Sequence, residues 1–195
     1  MYKYIKVILD SALALIALLL LLPILLIIAL LIKLDSKGSI FFVQNRVGIN
    51  NKIFKIYKFR TMYSETPKDV PTSDFNDANK YITKIGNVLR KTSLDELPQL
   101  INILKMDMAI VGPRPALYNQ YHLIELRKQN NVHLVRPGLT GLAQINGRDE
   151  ISDEEKVKYD TEYVKDITLF KDFKIIVATF FKVLKKEGIV DGEKK

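Results

Sequence analysis

The longest feature of the hydropathy pattern is a run from Ser11 to Ile32 that contains no charged residue. As a helix this run would be about 33 Å long, enough to cross the hydrocarbon of a bilayer. It is too long for the apolar part of a cleavable leader and lacks a small-residue cleavage site, which predicts a retained membrane segment. Pro23 lies in its middle, with Lys3 and Lys6 before it and Lys33 and Lys37 after it. Basic flanks face the cytoplasm, so lysines at both ends fit a segment that bends at Pro23 and leaves on the side it entered. Length alone equally allows a spanning helix.

Beyond the apolar run the period changes. Ser39 to Gln44 and Lys52 to Arg60 are rich in β-branched and aromatic residues and flank a Gly-Asn turn, the signature of a hairpin. Phe54, Ile56, Lys58 and Arg60 fall on one face of the second strand, running from apolar packing to two cations. Ser64 to Lys80, with two prolines and little that is apolar, predicts an exposed loop. A helix follows from about Tyr81 to Lys91. Leu94, Leu97, Leu100, Ile101 and Leu104 then recur at helical spacing, and Pro98 restricts the start of that helix to Ser93 to Asp95. Its first turn carries the adjacent carboxylates Asp95 and Glu96. Ser93-x-x-Glu96 reads as a capping box, while the same carboxylates at a helix N-terminus suit metal and phosphate chemistry. Leu169 to Leu184 predicts an apolar helix with Lys171, Lys174 and Lys182 upon it, placed either on a membrane surface or in ordinary packing.

The 195 residues contain no cysteine and two histidines, which excludes disulfide scaffolds, thiolate sites and His-rich metal sites. A net charge of +8, all but one unit of it from residue 33 onward, suits an anionic membrane surface or a phosphorylated substrate. No nucleic-acid-binding motif accompanies it, so nucleic acid is not an expected partner. Three stiff turns each present an arginine: Gly112-Pro113-Arg114-Pro115, Arg136-Pro137-Gly138-Leu139-Thr140-Gly141 and Asn146-Gly147-Arg148. They read as an anion-binding set or, one by one, as arginines that cap backbone carbonyls. His122 and His133 receive no role.

The segment around Pro23, Lys58-Phe59-Arg60-Thr61-Met62, Arg90, Leu94-Asp95-Glu96-Leu97 and the three arginine turns, in this order, resemble the bacterial sugar transferase family, and within it a small monotopic phosphoglycosyl transferase. The resemblance implies an α+β fold in which a re-entrant membrane helix hairpin (1–36) precedes a small, mostly helical catalytic domain with a β-hairpin and surface amphipathic helices (37–187), and a polar tail (188–195). It implies transfer of a sugar 1-phosphate from a UDP-sugar to undecaprenyl phosphate, with UMP released, on the cytoplasmic face of the bacterial inner membrane. Asp95 matches the nucleophile, which works with Mg2+, and Glu96 its dyad partner. Arg60, Arg90, Arg114, Arg136, Arg148 and Asp172 match positions used for substrate binding or for shaping the site. Leu22 stands where many members have a serine before the bending proline. Besides the bilayer, downstream glycosyltransferases or a second copy of the chain are the partners such an enzyme would have. The alternative from another class is a non-catalytic membrane-anchored protein that binds anionic lipid or a partner.

Overall fold

A computed structural model of the chain describes residues 2–66, 78–147 and 150–185. The apolar run lies within α1 (Tyr2–Asp35), a single continuous helix with Pro23 inside it. The two helices of the expected hairpin are thus not separate elements. Proline removes one donor, and the leucines and isoleucines around Pro23 offer the freed carbonyl no competing polar partner that would open a turn. Most of α1 is exposed and apolar, unlike the core helix of a soluble protein. A stripe through Ala14, Ala17, Leu18, Leu21, Leu25, Ile28 and Ile32 is covered by the domain. Both ends are tied to it: Lys6 Nζ lies 2.7 Å from Asp172, and at the other end Arg60 donates to the carbonyls of Ser36 and Ile32.

The expected hairpin forms from β1 (Phe41–Val47) and β2 (Ile53–Phe59), antiparallel from Phe41 opposite Phe59 to Val47 opposite Ile53. Asn50 and Asn51, both at positive φ, make the turn, a conformation asparagine tolerates better than most residues. Helix α2 (Lys84–Lys91) starts later than the apolar pattern suggests because Thr83 caps it, accepting a hydrogen bond from the Gly86 N–H. Residues 67–77 of the predicted loop lie outside the described residues.

Helix α3 (Gln99–Leu104) is fastened to β2 by a polar residue inside its apolar face. Asn102 is fully buried; its Oδ1 accepts from the Tyr57 N–H at 3.0 Å and its Nδ2 donates to the Lys55 carbonyl at 2.7 Å. The amide completes the edge of β2 that β1 leaves unpaired. Asn102→Ala is expected to lower stability by about 2–4 kcal/mol, because two buried backbone groups lose their partners. Chemical unfolding in detergent micelles measures it. Ile101, expected on the buried face, is instead exposed, and Gln99 and Asn102 take up buried positions.

A second sheet, not foreseen from the sequence, pairs β3 (Ala109–Val111) in parallel with β4 (Gly138–Thr140), the crossover carrying α4 (Tyr121–Gln129). Three-residue strands are too short to show alternation. Gly138 makes the pairing possible, since a Cβ there would lie 2.1 Å from the Gly112 nitrogen. The chain closes with α5 (Leu142–Ile145), α6 (Asp153–Lys165) and α7 (Leu169–Lys185). Tyr163 and Ile175 from α6 and α7 pack with Val111 of β3, while Phe170, Phe173, Phe180 and Phe181 of α7 remain exposed. This is the surface amphipathic helix that the lysine-flanked pattern allowed.

Candidate active site

Asp95 and Glu96 sit in a single 3-10 turn, Leu94–Glu96, between α2 and α3. Ser93 enters it in the left-handed region (φ 55) and makes no side-chain capping bond, so the expected capping box is absent. Helix α3 begins only at Gln99, with Pro98 at its cap position. Glu96 instead points inward, 7 % exposed, where Lys58 Nζ lies 2.7 Å and Arg114 Nη2 3.2 Å from its Oε1. Two cations bind a carboxylate more strongly than one backbone amide does, which explains the exchange.

Each partner is delivered by a fixed element. Lys58 projects from the inward face of β2, and burial pulls its ammonium below the ordinary lysine range while the charge of Glu96 opposes that shift. Asp95 acts in the same direction as Glu96, placing its carboxylate within electrostatic reach of Lys58. Arg114 comes from the turn after β3. That turn packs on the Arg136–Gly141 turn: Gly112 N–H donates to the Thr140 carbonyl at 2.9 Å and Gly138 N–H to Pro113 at 2.8 Å. Two of the predicted arginine turns are therefore one structural unit.

Glu96 and Arg114 stand in the wall of a cleft of about 330 Å³ that continues past Leu94, Leu97, Leu139 and Ile176 to Lys182 of α7. Thr140 and Thr179 bridge β4 and α7 across its wall, their hydroxyls 2.6 Å apart. The cleft combines a few charged side chains with a mostly apolar lining.

The other predicted residues lie elsewhere. Arg60 is buried and donates to the carbonyls of Ile32, Ser36 and Lys37, capping the end of α1. Its guanidinium lies close over Gly38, whose φ of +125 strains any other residue, and a Cβ there would displace it. Asp172 accepts from Tyr2 and Lys6 of α1 and from Tyr163, so it tethers the start of the membrane helix. Arg136 donates its Nε to the Met106 carbonyl and borders a separate cavity of about 130 Å³ beside Lys6 and Asp10. Arg90 closes α2, half-buried, just before Thr92 at the rim of the cleft. Arg148 lies outside the described residues. Lys58 was missed as a partner of Glu96, although its place on the inward face of β2 was readable.

The family model described as Bacterial sugar transferase matches residues 1–186. The chain belongs to the bacterial sugar transferase family. Among its relatives, this sugar transferase is 46% identical over 158 residues to the protein named Uncharacterized sugar transferase EpsL of Bacillus subtilis (strain 168), covering 81% of the chain and 76% of that protein. It is 43% identical over 181 residues to the UDP-glucose:undecaprenyl-phosphate glucose-1-phosphate transferase of Escherichia coli (strain K12), covering 89% of the chain but 39% of that protein. A third relative, the UDP-N-acetylgalactosamine-undecaprenyl-phosphate N-acetylgalactosaminephosphotransferase of Aeromonas hydrophila, is 38% identical over 189 residues, 94% of the chain and 44% of that protein. The chain thus spans under half the length of the last two.

No cluster of three or more acidic or histidine side chains that could cage a metal occurs among the described residues of the sugar transferase. The Asp95–Glu96 pair fits a different arrangement, in which Mg2+ takes one or two protein carboxylates and completes its shell with substrate phosphates and water. Glu96 of that pair is held by Lys58 and Arg114.

Proposed function

We propose that this chain transfers a sugar 1-phosphate from a UDP-sugar to undecaprenyl phosphate through a phosphosugar intermediate on Asp95. The observation that carries this reading is the acidic pair whose Glu96 lines the cleft, held there by a buried lysine and by an arginine from a rigid turn, in a domain fastened along a membrane helix. The family and the names of its relatives supply the reaction class.

In the first step an Asp95 oxygen bonds to the β-phosphorus while the bond from that phosphorus to the bridging oxygen breaks, and UMP leaves. Arg114 brings a guanidinium to the cleft wall where it can donate to the diphosphate, and Lys58 holds Glu96 in place beside Asp95. Mg2+, when bound, neutralises the phosphate oxygens that would otherwise repel the attacking carboxylate. In the second step an oxygen of the lipid phosphate bonds to the same phosphorus, the Asp95 carboxylate leaves, and the polyprenyl-diphosphate sugar forms. The two substrates then need not be bound together.

The topology belongs to the same proposal: α1 enters and leaves the inner membrane on the cytoplasmic side, with Pro23 as the place where it bends. The ties at both ends of α1, to Asp172 and to Arg60, support this, because a perpendicular spanning helix would carry one end away from the domain. Single cysteines at Tyr4 and at Ser39 are expected to be protected alike from an impermeant thiol reagent added to intact cells. Labelling at Tyr4 alone would establish a spanning helix.

The relatives' names differ in their sugars, so the decisive assay offers several UDP-sugars, glucose and N-acetylgalactosamine included, with undecaprenyl phosphate in nanodiscs and Mg2+. Release of UMP that requires the lipid acceptor for sustained turnover is expected. No UMP from any donor, with lipid binding retained, would leave a membrane-anchored binding protein as the reading.

A further inference from the structure

Behind Arg114 lies a buried ion pair that the reaction as drawn does not use. Asp160 of α6 is 1 % exposed, and its Oδ2 accepts from both Nε (3.0 Å) and Nη2 (2.7 Å) of Arg127 on α4. Arg127 is itself buried, and its remaining terminal nitrogen, Nη1, donates at 2.7 Å to the backbone carbonyl of Arg114. Buried charge pairs are a weak source of stability, since desolvation offsets much of their attraction and apolar replacements often serve as well. This guanidinium does something an apolar group cannot, since its planar fork joins a carboxylate on one helix to the turn that carries Arg114.

Four successive carbonyls, from Pro113 to Ala116, are hydrogen-bonded. Pro113 accepts from Gly138, Arg114 from Arg127, Pro115 from Arg46 and Ala116 from Val47. Prolines at 113 and 115 offer no N–H, so carbonyl contacts fix the turn. Among these four bonds, only that from Arg127 is made at Arg114 itself and anchored by a buried charge. A continuous line of contacts then runs from Asp160 through Arg127 and Arg114 to Glu96 and Lys58.

We propose that Arg127 and Asp160 are positioning residues for the transfer reaction, fixing the direction in which Arg114 presents its guanidinium to Glu96 and to the substrate diphosphate. The proposal rests on the transferase reading. Arg127→Lys keeps a cation for Asp160, but a single ammonium cannot reproduce the fork that also holds the Arg114 carbonyl. A small misdirection of a substrate-binding group far from the changed residue costs about ten- to a hundredfold in rate.

The test is a double-mutant cycle on the full chain in nanodiscs: wild type, Arg127→Lys, Arg114→Gln and the double variant. Each is measured for kcat/KM with the best UDP-sugar and for its thermal midpoint. The expected result is a loss of about ten- to a hundredfold for Arg127→Lys in the wild-type background and no further loss in the Arg114→Gln background, while the change in midpoint is equal in both. Asp160→Asn, which keeps the side chain's size and one acceptor, runs in a parallel cycle and serves where Arg127→Lys does not fold. Losses that multiply across the two sites, or turnover indifferent to Arg127→Lys and Asp160→Asn, overturn the proposal while leaving the transferase reading intact. Absence of UMP release by the wild-type chain overturns both.

Discussion

Asp95→Asn is expected to reduce UMP release by roughly 10³-fold or more, the scale of losing a group that forms the covalent intermediate. Asparagine matches aspartate in shape, so the Leu94–Glu96 turn and the inward placement of Glu96 should persist. What disappears is the negative oxygen that would attack phosphorus and share a magnesium ion with the diphosphate. A second readout separates the nucleophile from its neighbour. With lipid acceptor withheld and a donor labelled in its sugar phosphate, the wild-type chain should retain label and the Asp95→Asn chain should not. Label mapped to Glu96, or undiminished turnover of the variant, would reverse the roles given to the two acids.

The next largest effect is expected for Lys58→Met. Removing one partner of a buried ion pair leaves the other charge stranded, at a cost of about 3–5 kcal/mol, and Arg114, 3.2 Å away, should hold the loss near the lower figure. Glu96 then draws more strongly on Arg114, which pulls that guanidinium off the diphosphate, so turnover should fall by about 10²–10³-fold as well. Lys58→Met combined with Glu96→Gln should be more stable than Lys58→Met alone, because the stranded charge is gone.

How far the sequence reaches can be judged from pairs of like signals. Ser93-x-x-Glu96 and Ser152-x-x-Glu155 share one capping signature, and only the second forms a capping box, Ser152 N–H donating to Glu155 at 3.1 Å. Glu96 differs because Lys58, far away in sequence, arrives beside it, and no local pattern contains that information. Lys58 and Arg60 were legible as two cations at the end of one strand face. Their destinations were not, since the first meets a carboxylate after β2 and the second the carbonyls at the end of α1. The membrane segment, the β-hairpin and the amphipathic α7 were readable because each is a long run with its own period. Asn102, a polar residue inside an apolar run, marked a tertiary junction that periodicity treats as noise. Asp172 gave no sign of its tie to Lys6 and Tyr2, which lie at the opposite end of the chain.

The seam along α1 also governs what can be detached. Ile56, Leu100, Ile103 and Met108 are covered by Ala14 and its neighbours, and Phe59 and Leu89 by Ile28 and Ile32. Cutting the chain after Asp35 would leave those side chains facing water, and would take the Ile32 carbonyl from Arg60 and the Tyr2 and Lys6 donors from Asp172. A water-soluble catalytic fragment should consequently aggregate, however mild the cut looks on a linear map. An anchor borrowed from a relative could replace α1 only if it brought the matching small and apolar residues along the seam, for here the tether to the bilayer is also one wall of the enzyme's interior.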